Sequence, residues 1–213
     1  MQCIFVETEP FGEIFYRAQS KKNKIYIPIL ILPLMIITIS GKAGSGKSTV
    51  AKMLSEKLKL RHYSIGDLMR SMASEKKISL LELNNLAESD NSIDFELDKK
   101  LKELGKTKNN FVVDGRLTAH FIPKADVRVF LDTDDKVRAE RILKDKRQQE
   151  KSSSLRETAE NIKKREESEK KRYQKYYGAD YMDKRLYNFE VDTTKLSPDE
   201  VVRKIIEFVE KVR

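Results

Sequence analysis

Tryptophan is absent from this 213-residue sequence, cysteine occurs once, histidine twice and proline five times. The lone Cys3 excludes an intrachain disulfide, and two histidines without a second cysteine give none of the spacings of a structural zinc site. A reducing, cytoplasmic setting and no structural metal are therefore expected. Long hydrophobic runs are scarce as well. Residues 25–39 form a charge-free stretch that follows Lys21, Lys22 and Lys24 and looks like a signal-peptide core. A bilayer span needs about 20 apolar residues, and Pro28 and Pro33 interrupt this one. Its last part, from Met35 to Ser40, runs straight into a glycine-rich loop and is needed as that loop's strand. Neither a membrane segment nor a targeting role is expected. Residues 1–34 read as an extension outside the core, with Met35 as the expected true start.

Hydrophobic residues make up 39% of the chain and charged residues 36%. That is enough apolar material for one buried sheet under helices with solvated outer faces, and the length fits one α/β domain with a small insertion or two. The formal net charge of +9 is concentrated, since residues 136–176 hold 15 Lys or Arg against 8 Asp or Glu. Such a cluster suits a polyphosphate pocket, an RNA surface or a solvated helix face, so the decision falls to motifs.

Beyond residue 34, short apolar runs alternate with amphipathic stretches, the pattern of a doubly wound parallel sheet. Five strands are expected, at 35–39, 62–64, 111–114, 127–131 and 187–191. A first helix over Lys47–Leu58 places Val50, Met53, Leu54 and Leu58 on one face. A last helix starts at Ser197-Pro198-Asp199-Glu200, with serine as the cap and proline in the first turn. Its apolar stripe is Val201, Val202, Ile205, Ile206, Phe208 and Val209. Residues 64–110 and 145–160 lack strand signals and are candidate mobile pieces.

The strongest motif is GKAGSGKS at 41–48, which matches GxxxxGK[ST] and lies between an apolar strand and an amphipathic helix, as that motif requires. Gly41, Gly44 and Gly46 let the backbone curl around Lys42, Ala43 and Ser45, so that amides meet the β- and γ-phosphates at a positive helix end. Lys47 adds a charge that follows the transferred group, Ser48 offers a hydroxyl to Mg²⁺, and Thr49 is within reach of the α-phosphate. ATP with Mg²⁺ is the expected ligand. GTPases, ATPases and kinases nevertheless share this loop.

Transfer to a second nucleotide requires extra positive charge, because two anions must be held in line. Arg70, Arg116, Arg138, Arg141, Arg165 and Arg172 fall where they could converge. Asp114-Gly115-Arg116 follows an apolar strand, which puts a carboxylate and a guanidinium at the carboxyl edge of the sheet, where open α/β sheets bind ligands. Asp114 is the candidate to orient water on Mg²⁺. Arg165, Glu169 and Arg172 are spaced i, i+4, i+7 and share one helical face, while Glu166–Lys170 and Glu167–Lys171 read as solvated pairs.

With these residues in view the chain resembles the cytidylate kinases, in particular their compact archaeal-type branch, over residues 35–213. The resemblance rests on MIITISGKAGSGKS, YSIGDLMR at 63–70, DGRL at 114–117, RAERI at 138–142 and REESEKKRY at 165–173. It implies a P-loop kinase fold, with residues 64–110 as a nucleoside-monophosphate-binding insertion and residues 145–160 as a short lid. It implies that Arg70 and Arg116 hold the acceptor phosphate, and that Arg141 stacks on the donor base or reaches its phosphates. Arg165 and Arg172 would neutralise the phosphoryl group in flight, Glu169 would hold one of them or touch the acceptor, and Ser64 and Asp67 would lie beside the acceptor base. The bacterial members of the family have serine directly before the glycine of the second motif, where this chain has Ile65. The adenylate kinase pattern DGFPR is absent.

The expected reaction is ATP-dependent phosphorylation of CMP and dCMP by a cytoplasmic monomer that uses neither nucleic acid nor membrane. Rival acceptors are AMP, UMP and dephospho-coenzyme A, and a rival of another class is an ATP-dependent RNA-binding assembly factor.

Overall fold

The computed structural model describes residues 6–8, 14–19, 24–29, 35–107, 109–145 and 152–212. It divides into two units, Met1–Met35 and Ile36–Arg213. In the first, β1 (Val6–Thr8), β2 (Ile14–Gln19) and β3 (Lys24–Ile29) pair antiparallel in that order. Isoleucine, tyrosine and phenylalanine favour extended backbone, and Pro28 lies on an edge strand, where a missing N–H costs no central ladder bond. The charge-free stretch 25–39 is thus divided between β3 and the first strand of the second unit. Among the described residues, no helix is long and apolar enough to cross a membrane.

The second unit is built on β4 (Ile36–Gly41), β5 (Arg61–Ser64), β6 (Phe111–Asp114), β7 (Val127–Asp132) and β8 (Phe189–Asp192). These form an all-parallel sheet of order β5-β6-β4-β7-β8, the five-stranded α/β architecture expected from the sequence. All six residues of β4 are buried, which is why this central strand reads as an unbroken apolar run. The last strand starts two residues later than expected. Tyr187 turns inward to within 4.9 Å of Phe130, and Asn188 bonds the backbone of Arg128 and Asp126.

After β4 the chain enters α1 (Lys47–Leu58); α2 (Ile65–Glu75), α3 (Leu80–Ser89) and α4 (Ser92–Thr107) then fill the stretch between β5 and β6. They enclose a cluster that includes Met69, Leu80, Leu83, Leu97, Leu101 and Phe111. The sheet is completed by α5 (Thr118–Phe121), α6 (Asp135–Lys144), α7 (Leu155–Tyr177) and α8 (Pro198–Val212). In α1 the buried stripe is Val50, Ala51, Leu54 and Ser55, while Met53 and Leu58 are only half-buried, because the helix packs on both β6 and α8. Ser197 caps α8 as expected, exchanging bonds with Glu200. Val201, Val202, Ile205 and Val209 are buried there, whereas Ile206 is half-buried and Phe208 stacks on Phe189 at 4.4 Å.

Of the expected lid, residues 146–151 lie outside the described residues. Its remainder is partly helical, since Ser154 accepts from the Glu157 amide and starts α7 at Leu155.

Candidate active site

From β4 the chain runs to β5 and β6 on one side and to β7 and β8 on the other, so strand order reverses at the carboxyl end of β4. Open α/β sheets leave a crevice at such a point. The loop 41–46 fills it. Gly44 has a φ of +75°, and a Cβ there would sit 2.6 Å from the Arg138 carbonyl oxygen, so both conformation and space demand glycine. Arg138 is buried on α6 and donates to the Ala43 carbonyl at 3.1 Å, to Asp135 at 2.6 Å and to Glu166 on α7 at 2.6 Å. One guanidinium therefore ties the loop to two helices. Glu166, expected to pair with Lys170 on a solvated face, is instead a partner of this buried arginine.

Lys47 donates to the Lys42 carbonyl at 2.7 Å across the loop. Burial holds its pKa well below the ordinary lysine value, with Arg116 and Arg165 adding to the effect against Asp114 and Glu169. Ser48, which follows it, donates to Asp114 at 2.8 Å. Asp114 lies in register with Ile39 on the strand beside β4, and also receives Ser64 at 3.2 Å and His62 at 2.7 Å. The serine hydroxyl and the carboxylate are hard oxygen donors side by side, suited to a Mg²⁺ ion that takes one or two protein groups and completes its shell with phosphate and water. Among the described residues no group of three or more His, Cys, Asp or Glu side chains could hold a metal ion.

Beside the loop, Arg116 donates to Glu169 at 2.8 Å and to the Gly41 carbonyl at 2.8 Å, and Arg165 donates to Glu169 at 3.0 Å. Burial alone would raise the Glu169 pKa, but Arg116 and Arg165 overcome it and hold the carboxyl at about 2. The same carboxylate keeps Arg116 charged in spite of burial. Arg70 is paired with Asp67 and, like Arg116 and Arg165, lines the cavity.

That cavity has a volume of about 370 Å³. Of the sequence-derived candidates it gathers Ala43 through Thr49, Arg70, Asp114, Arg116, Arg141, Arg165 and Glu169. Gly41 and Lys42 sit behind the loop, at its root. Arg141 is held by Thr193, with bonds of 3.0 and 2.7 Å to its hydroxyl and carbonyl. Besides these two, three further candidates do not line the cavity. Ser64 caps α2 and bonds Asp114, Asp67 is exposed, and Arg172 is buried in a two-pronged pair with Asp94 at 2.6 and 2.7 Å, with a further bond to Asn84 at 2.8 Å. The i, i+4, i+7 face of α7 is thus turned inward, and Arg138, Arg165 and Arg172 each pair with a carboxylate, with Arg165 still lining the cavity.

Sequence reasoning passed over Asp94, Asp98, Asn84, Tyr173 and Thr193. For the first two a signal existed: Asp94 and Asp98 are one turn apart on the face of α4 that carries Leu97 and Leu101, and all four are buried.

A family model described as "Cytidylate kinase-like family" matches residues 36–195. The cytidylate kinase of Natronomonas pharaonis is 41% identical over 174 residues, covering 81% of this chain and 88% of its own length. That of Methanobrevibacter smithii is 40% identical over 172 residues, 81% of this chain and 96% of its own. The cytidylate kinase of Halobacterium salinarum is 38% identical over 83% of this chain and 90% of its own. Among solved structures, a shikimate kinase from Bacteroides thetaiotaomicron superposes with a TM-score of 0.58 at 15% identity, over 83% of this chain and 99% of its own. At that identity the likeness speaks to the fold alone.

Proposed function

The chain belongs to the cytidylate kinase-like family, and from that premise we propose that it transfers the γ-phosphoryl group of ATP to CMP and dCMP. The observation that carries this reading is one cavity lined both by the phosphate-binding loop and by Arg70, Arg116 and Arg165. A hydrolase needs only the loop and a water, whereas three further guanidinium groups suit a second anion.

In this reading the amides of residues 43–48 and the Lys47 ammonium hold the β- and γ-phosphates, and Thr49 approaches the α-phosphate. Arg141, fixed by Thr193, forms one wall of the donor-base site together with Leu196 and Pro198. Arg70 and Arg116 draw the acceptor phosphate into line, and Arg165 follows the charge of the group in flight. Glu169 aims Arg116 and Arg165 and offsets their mutual repulsion. Arg172 acts behind this layer, positioning α4 through Asp94. Ser48 and Asp114 would hold a Mg²⁺ ion, which would supply neutralisation of phosphate charge. No side chain need serve as a strong base, because the acceptor phosphate is already anionic. Exclusion of water by closure over the donor falls to residues 145–160.

The test is an acceptor panel with ATP, comparing CMP, dCMP, UMP, AMP and dephospho-coenzyme A with no acceptor. Nucleoside diphosphate formation fastest with CMP or dCMP is expected. ATP hydrolysis at one rate regardless of acceptor would overturn the proposal.

A further inference from the structure

The cavity lining includes a carboxylate that the phosphate chemistry does not use. Asp98 lines the cavity from α4 beside Leu97, Leu101, Met69 and Tyr173, and its side chain is almost fully buried. One oxygen receives the Tyr177 hydroxyl. Asp94, one turn earlier, is neutralised by the two-pronged Arg172 contact, whereas no described cation bonds Asp98 directly. A buried carboxylate without a bonded cation is costly unless something else supplies donors. Burial, and next the charge of Asp94, push its pKa up to about 7 against the opposing influence of Lys102 and Arg172.

Position along α7 shows what would face it. Glu169, between the two phosphate-side arginines, and Tyr177 are eight residues apart, about 12 Å along a helix. That span is comparable with a nucleoside monophosphate laid along the helix with its phosphate at Arg116. The base would then lie between the apolar walls of Leu97, Leu101, Met69 and Tyr173, with its edge toward Asp98.

We propose that Asp98, backed by Tyr177, reads the amino edge of the acceptor base and thereby selects cytosine over uracil. Cytosine presents an amino donor next to a ring-nitrogen acceptor, and uracil presents the reverse. A carboxylate, which only accepts, takes a hydrogen bond from the amino group of cytosine. Uracil would set its carbonyl oxygen against the same group. The inference rests on the kinase reading above.

Asp98→Asn supplies a fixed donor and acceptor that suit uracil as well as they suit cytosine. The ratio of kcat/KM for CMP to that for UMP is expected to fall by at least about tenfold, the scale of one good base-edge contact, while KM for ATP stays within about twofold. A purely structural role would lower both substrates together, and an unchanged ratio would overturn the inference. A second measurement needs no variant: wild-type protein with CMP carrying two methyl groups on the amino nitrogen should show a KM raised by about tenfold or more. A normal KM for that analogue would equally overturn it. Failure of wild-type protein to phosphorylate CMP at all would instead sink the kinase reading, so the two outcomes remain distinct.

Discussion

Glu169 is the residue on which most of the charge in the cavity depends. It is buried, it holds Arg116 and Arg165 together, and its carboxyl sits at about 2 against an ordinary 4.5. A carboxyl whose folded pKa is depressed adds stability that is complete above the ordinary value and is lost as pH falls through the folded one. Glu169→Gln should therefore be less stable than the wild type at neutral pH, with the gap closing between about pH 4.5 and about pH 2 in denaturant unfolding. A constant gap across that window would show that the pair contributes nothing electrostatic. Arg172 follows the same reasoning. The family resemblance gives Arg172 a part in neutralising the transferred group, but Arg172→Ala also leaves Asp94 buried without its partner. A loss of about 3–5 kcal/mol in unfolding free energy is expected, alongside reduced turnover. Lys47→Ala removes no ion pair and should lower kcat by orders of magnitude with an unchanged melting temperature.

At the scale of elements, the loop and the arginine on α6 form one device. Gly44 passes so close to Arg138 that Gly44→Ala must displace either the loop or the start of α6. ATP affinity is expected to fall roughly tenfold or more, equivalent to about 1.4 kcal/mol, as read by equilibrium titration. Unaltered affinity would mean that the loop tolerates the shift. The strands and the loop were legible because a fully buried parallel strand reads as an apolar run and the glycine spacing is dictated by backbone geometry. Arg138, Arg165 and Arg172 were harder to sort. Helical spacing places Arg165, Glu169 and Arg172 on one face, but it does not say which carboxylates from other elements will meet them. Asp94 and Asn84 lie in the polar stretch between β5 and β6, about eighty residues before their partner, and no local pattern joins them to Arg172. Ser64 was drawn toward the acceptor by motif, whereas its hydroxyl is engaged in capping α2 and bonding Asp114.

For the whole molecule, every described residue that lines the cavity comes from the second unit, and the family match begins at residue 36. A chain that starts at Met35 is expected to phosphorylate CMP with kcat and KM within about twofold of the full chain, since the transition-state contacts named above are all retained. A large loss would assign the first unit a part in catalysis. The claim underlying every scale is that one cavity holds two phosphate-bearing nucleotides end to end. The most direct measurement of it is equilibrium binding of a single molecule in which adenosine and cytidine are joined through five phosphates, compared with ATP and CMP separately. Joining the two should give binding at least about a hundredfold tighter than either alone, with the gain lost in Arg116→Ala. Binding no tighter than that of ATP would contradict it.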